Sequence, residues 1–105
     1  MTRRGLRELS QAHSELWEAA RWYENQSAGL GFKLFDAVDA AVDEILSWPE
    51  AAPIVPGRNG QSVLRSKRVQ RFPYRVIYFV KDEQIVIVAY AHARRKAGYW
   101  RHRVT

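Results

Sequence analysis

The sequence predicts an α+β domain: a two-helix N-terminal hairpin packed on an antiparallel three- to four-stranded sheet, in the order β-α-α-β-β-β. Three observations predict it. Two stretches in the first half repeat apolar residues at helical spacing. Beyond residue 62 the period changes from helical to the alternation of a strand. The links in that second half are short and polar, which makes neighbouring strands antiparallel. At 105 residues, the chain reads as one domain over 1–105.

Residues 4–9, Arg-Gly-Leu-Arg-Glu-Leu, read as a short first strand. Ser10 follows as a candidate helix cap, because its hydroxyl can accept from the free amides of a first turn. Ala12, Leu16, Ala19, Ala20 and Tyr23 then recur at helical spacing through residue 26. Trp17 and Trp22 lie about 100° and 120° off that stripe, on opposite flanks, as candidate docking aromatics or edge-of-core residues. Asn25 to Gly31 breaks the pattern with Asn, Ser and two Gly.

Leu30, Leu34, Phe35, Val38, Ala41, Val42, Ile45, Leu46 and Trp48 form the second stripe, with Lys33, Asp36, Asp43 and Glu44 opposite. Pro49 closes the helix, since proline cannot continue it. Residues 49–62, with Pro49, Pro53, Pro56, Gly57 and Gly60, read as a loop. Val63 to Val69 alternates weakly. Phe72, Tyr74, Val76, Tyr78 and Val80 share one strand face, and Arg75, Ile77 and Phe79 the other. Lys81 to Gln84 is a polar turn. Ile85 to Ala91 is almost wholly apolar and reads as a central strand covered on both faces.

Charge is unevenly placed. Residues 1–50 carry nine acids and five bases; residues 51–105 carry two acids and twelve bases, so net −4 and +10 give the overall +6. The second half therefore invites an anionic partner, either nucleic acid or an acidic protein segment. With no cysteine, disulfides, thiolate nucleophiles and cysteine metal sites are excluded. His13 and His102 have no ligands at metal spacing, so no metal and no cofactor is expected. Neither a signal peptide nor a run of about 18 apolar residues is read, which gives an expected cytoplasmic place away from membranes.

The informative segment runs from Arg65 to Arg103. Trp22-Tyr23-Glu24, Gly29-Leu30-Gly31 and Trp48-Pro49, followed by Arg71-Phe72-Pro73-Tyr74-Arg75-Val76-Ile77-Tyr78 and His92-Ala93-Arg94-Arg95…Tyr99-Trp100, resemble the RelE/ParE family of type II toxins, also called the plasmid stabilisation family. The likeness covers roughly residues 12–103 and is poorest at the first strand. It implies a toxin that inhibits growth and is neutralised by a cognate antitoxin, with a toxin–antitoxin hetero-oligomer as a possible assembly.

Two mechanisms share the family fold, so the fold alone leaves the activity open. RelE-like members are metal-independent endoribonucleases that cut messenger RNA on the ribosome; ParE-like members block DNA gyrase without chemistry of their own. For cleavage, the resemblance assigns Arg75 to the phosphate, Arg68 to the neighbouring basic position, Arg94 to the arginine after the last strand and Tyr99 to the C-terminal tyrosine. His92 adds a proton-transfer candidate. These five favour the RNA-cleaving route slightly. His92 before a basic stretch equally resembles ParE-like members. Arg65, Lys67, Arg71, Arg95, Lys96 and Arg101 are candidates for RNA or another anionic partner, and Trp17 and Trp22 for the antitoxin.

Structural roles compete at each position. Arg75 could pair with Glu24 or Asp39, His92 could be a hydrogen-bonded strand end, and Tyr99-Trp100 could pack the tail onto the sheet. A general RNA-binding module and a purely structural interaction protein are the readings outside the family.

Overall fold

The computed structural model describes residues 5–59 and 62–104. Its elements are β1 (Gly5–Glu8), α1 (Ser10–Gln26), α2 (Leu30–Ser47), β2 (Ile54–Asn59), β3 (Ser62–Arg68), β4 (Tyr74–Lys81), β5 (Gln84–His92) and a closing 3-10 turn, Arg101–Arg103. The α+β reading holds, with the two helices and the three last strands where the periodicities put them. Arg4 of the expected first strand, and Gly60 of the expected loop, lie outside the described residues.

The sheet has five strands, in the order β1-β5-β4-β3-β2. It exceeds the expected three to four because part of the proline-rich loop is a strand. β2 pairs with β3 alone, and its register shifts between Val55 and Arg58. Pro56 and Gly57 fall in that shift. An edge strand tolerates a residue without an amide donor, and a bulge absorbs the irregular backbone. The sheet is also mixed, since β1 runs parallel to β5, Leu6 opposite Ile85, while the other pairs are antiparallel. Two helices intervene between β1 and the rest, which gives the chain length enough to return in parallel.

One sheet face carries the helices. Leu16, Leu34, Val38 and Ile45 pack there against Val76, Tyr78, Ile85 and Ile87. Each fully buried Leu or Ile contributes roughly 1.5–3 kcal/mol. On the other face Leu64, Ile77, Phe79, Val86 and Val88 are covered by Trp100 of the tail. That double coverage explains the unbroken apolar run of β5. Tyr78, fully buried, donates its hydroxyl to the Pro49 carbonyl at 2.7 Å and ties the sheet to the end of α2.

Ser10 does not cap α1. Leu9 holds the cap position in extended geometry, with no side-chain cap bond. Its amide donates to Ile87 O at 3.0 Å, so strand pairing runs directly into the helix. The cap with a side chain belongs to α2 instead. Glu24 accepts from the amides of Gly29 at 2.9 Å and Gly31 at 3.0 Å, satisfying donors of the first turn. A Cβ on Gly31 would stand 2.8 Å from the Ala20 carbonyl oxygen, so glycine sets how closely the hairpin closes. None of the described helices is long and apolar enough to cross a membrane.

Candidate functional site

Most of the candidate residues line two grooves, and a clasp on the tail holds others. The first groove lies beside the end of α2, where β3 ends and β4 begins. Arg75 donates from Nε to Ser66 Oγ and from Nη2 to Ser66 O at 3.3 Å. Ser66 is a polar residue buried in the sheet, only 2% exposed. Neither Glu24 nor Asp39 pairs with Arg75: Glu24 is engaged at the start of α2. Arg68 stands directly opposite Arg75 in the β3–β4 register. Both arginines line one cavity of about 500 Å³ together with Trp48, Pro53, Ser66 and Lys67.

Lys67 is paired with Glu44 of α2. Arg65 donates to two carbonyls, Glu50 O at 2.9 Å and Ala52 O at 2.8 Å, and meets no carboxylate among the described residues. A guanidinium held by neutral acceptors keeps its full charge available to an outside anion.

The second groove, about 630 Å³, is lined by Trp22, Tyr23, Pro73, Tyr74, His92 and Arg94. His92 Nδ1 accepts from the Arg94 amide at 3.0 Å, and its ring meets Tyr74 edge-on at 5.0 Å. The same edge-to-face geometry joins Trp22 to Tyr23, and Tyr23 to Phe72, each at 5.0 Å. Trp22 is 58% exposed on the rim. Trp17, also exposed, lies on the other flank of α1 against Phe35 at 5.0 Å. Arg71 sits at φ 70 in the β3–β4 turn and lines a neighbouring cavity with Lys33 and Phe72.

Tyr99 lines a smaller cavity of about 300 Å³ beside the second groove, sharing Trp22, Tyr74 and His92 with it. Its hydroxyl donates to Glu15, and the guanidinium of Arg95 lies 3.9 Å over its ring. Burial, then the bond to Glu15 and that carboxylate's charge, push the Tyr99 phenol well above its ordinary range. Glu15 also accepts from Arg103 at 2.8 and 3.2 Å and from the amide of Tyr90 at 3.1 Å. Arg103 in turn donates to Val88 O at 3.1 Å. β1 ends at Glu8, so these two side chains replace a strand along the remaining margin of β5. Arg101 lies 5.9 Å from the Trp100 ring, and Lys96 is exposed.

The structure thus brings Arg68 and Arg75 together, His92 with Arg94 and Trp22, and His92 with Arg95 and Tyr99 in the adjoining cavity. It lines no single groove with Arg75, Arg94 and Tyr99 among the described residues. Sequence reasoning missed Glu15, Arg103 and Ser66. Glu15 had a signal: it falls on the apolar stripe of α1, between Ala12 and Ala19, where a carboxylate needs a partner.

A family model described as ParE toxin of type II toxin-antitoxin system, parDE, matches residues 9–97. The chain belongs to the ParE toxin family. Its fold agrees with that of a solved chain of the chromosomal ParDE TA system from P. aeruginosa, with TM-score 0.61 and 19% identity, covering 87% of this chain and 97% of that one. At that identity the likeness speaks to fold alone. Comparison with curated proteins returned no match. A ParE-family toxin is one half of a type II pair, and a cognate antitoxin is its implied partner.

Proposed function

We propose that this ParE-family toxin arrests growth by binding DNA gyrase without chemistry of its own, and that its antitoxin lies over the aromatic groove at Trp22. One observation carries the reading: Arg68 and Arg75 line a different groove from His92, Arg94 and Tyr99. Cleavage of RNA needs a base, an acid and charge stabilisation around one phosphate. Here Arg75 and Arg94 line separate grooves, and the Tyr99 phenol is committed to Glu15. Arg94 and the exposed rim of Trp22 then serve as protein-contact residues. An acidic, amphipathic antitoxin segment matches that groove in both apolar and charged character.

Induction of the chain alone in a bacterial host tests the target. Blocked supercoiling with intact message is the expected result. Cleaved ribosome-bound message with normal supercoiling overturns it and returns Arg75, Arg68 and His92 to a RelE-like role. For the antitoxin, Trp22→Ala is expected to weaken binding by about 2 kcal/mol, roughly thirtyfold, measured by calorimetry. An unchanged affinity moves the docking site away from this groove.

A further inference from the structure

We infer that the cavity between the start of α2 and the β3–β4 turn binds a small amphipathic monoanion, its carboxylate or sulfonate between Lys33 and Arg71 and its apolar body against Tyr23 and Phe72. The inference is independent of gyrase and of the antitoxin, and neither is present when it is measured.

The cavity is about 710 Å³, a size that falls within the span of small-molecule sites, roughly 300–1,000 Å³. Its floor is apolar. Leu30 and Ala37 of α2, Tyr23 of α1 and Phe72 of the turn are each half-buried, so part of every one is left for a ligand to cover. Tyr23 and Phe72 hold each other edge-on, with ring centroids 5.0 Å apart, which makes this wall a fixed aromatic corner. A short acyl chain or a single ring system buries apolar surface there, with the helices on one side and the turn on the other.

The rim selects the head group. Lys33 and Asp36 stand on α2 and Arg71 on the turn, all three exposed, and none is in an ion pair among the described residues. Two cations and one carboxylate leave a single net positive charge at the mouth. One negative charge matches it. A polyanion carries more than this rim can neutralise and is repelled by Asp36. Arg71 adds a second observation. Its φ of 70 lies in the left-handed region, where a side chain is strained and glycine or asparagine is at home. The turn, closed by the Val69 amide on the Tyr74 carbonyl at 3.0 Å, uses that backbone but has no need of an arginine. No ion pair or ring contact of Arg71 among the described residues offsets the strain. An anion in the cavity supplies the missing contact.

The experiment titrates the full chain with anilinonaphthalene sulfonate, an amphipathic monoanion whose fluorescence rises in apolar surroundings, and displaces it with decanoate. One saturable site is expected, and decanoate is expected to raise the melting temperature because it binds the folded chain. Decanol, with the same tail and no charge, should displace the dye about tenfold more weakly. Arg71→Asn and Lys33→Gln should each weaken decanoate about fivefold. Asparagine tolerates the left-handed backbone, so the ligand-free Arg71→Asn chain should melt no lower than the parent. Asp36→Asn should act in the opposite direction and tighten decanoate about threefold, because the repelling carboxylate is gone. Decanol competing as well as decanoate, or decanoate affinity unchanged in both Arg71→Asn and Lys33→Gln, overturns the inference. Polyglutamate displacing the dye more effectively than decanoate overturns it too and assigns the cavity to an acidic protein segment.

Discussion

Replacing Glu15 by glutamine is expected to lower the unfolding free energy by about 3 kcal/mol. The Glu15 and Arg103 side chains are only 15% and 8% exposed. Removing one member of a buried pair strands the other charge away from water, which costs more than the pair itself contributes. Arg103 is poorly placed to recover, since its Nε is already buried without a hydrogen-bond partner. For a domain of this size the loss corresponds to a melting temperature lower by roughly 12 °C or more. Calorimetry or urea titration of the purified chain measures it. Adding Arg103→Met to Glu15→Gln is expected to recover much of the loss by removing the stranded cation. A single variant within about 0.5 kcal/mol of the parent would show that the tail is not held by this pair.

Alkaline unfolding is the second large effect. All five tyrosines, Tyr23, Tyr74, Tyr78, Tyr90 and Tyr99, have phenols raised above the ordinary value of 10, in each case first by burial. The bond from Tyr90 to Glu8 and the Glu8 charge raise that phenol further. With folded values above unfolded ones, both states hold the proton below pH 10 and stability is unaffected there. Above pH 10 the unfolded chain releases protons that the folded chain keeps, so stability falls as pH rises towards the folded values. Tyr90, 4% exposed, alone removes about 1.4 kcal/mol per pH unit in that window. The urea midpoint should stay level from neutrality to about pH 9 and then drop steeply. Tyr90→Phe should make the drop shallower. A midpoint that stays constant through pH 11 would contradict the burial of these phenols.

The helices and the last three strands were legible because burial there follows one period per element. The stripe from Leu34 to Ile45 faces a sheet, and Ile85 to Ala91 is apolar because Trp100 covers its second face. β2 was illegible because Pro56 and Gly57 carry loop chemistry, and only the pairing of Ile54 and Val55 with β3 makes them a strand. At the candidate site, single positions were readable and their grouping was not. Arg68 and Arg75 meet through register, a long-range property. Tyr99 is engaged by a glutamate 84 residues away. Ser66 lies in a strand whose alternation is weak, so nothing local marked it as the support of Arg75.

The parallel pairing of β1 with β5, and the reach of Glu15 to Arg103, fasten the start of the described chain to its finish. Local hairpins can form as soon as they leave the ribosome, but this closure cannot. Until β5 is made β1 has no neighbour, and until Arg103 joins Glu15 the margin of β5 beyond β1 stays open. A fold closed in this way leaves its most distant pairing for last, so it forms more slowly than its hairpins alone would allow.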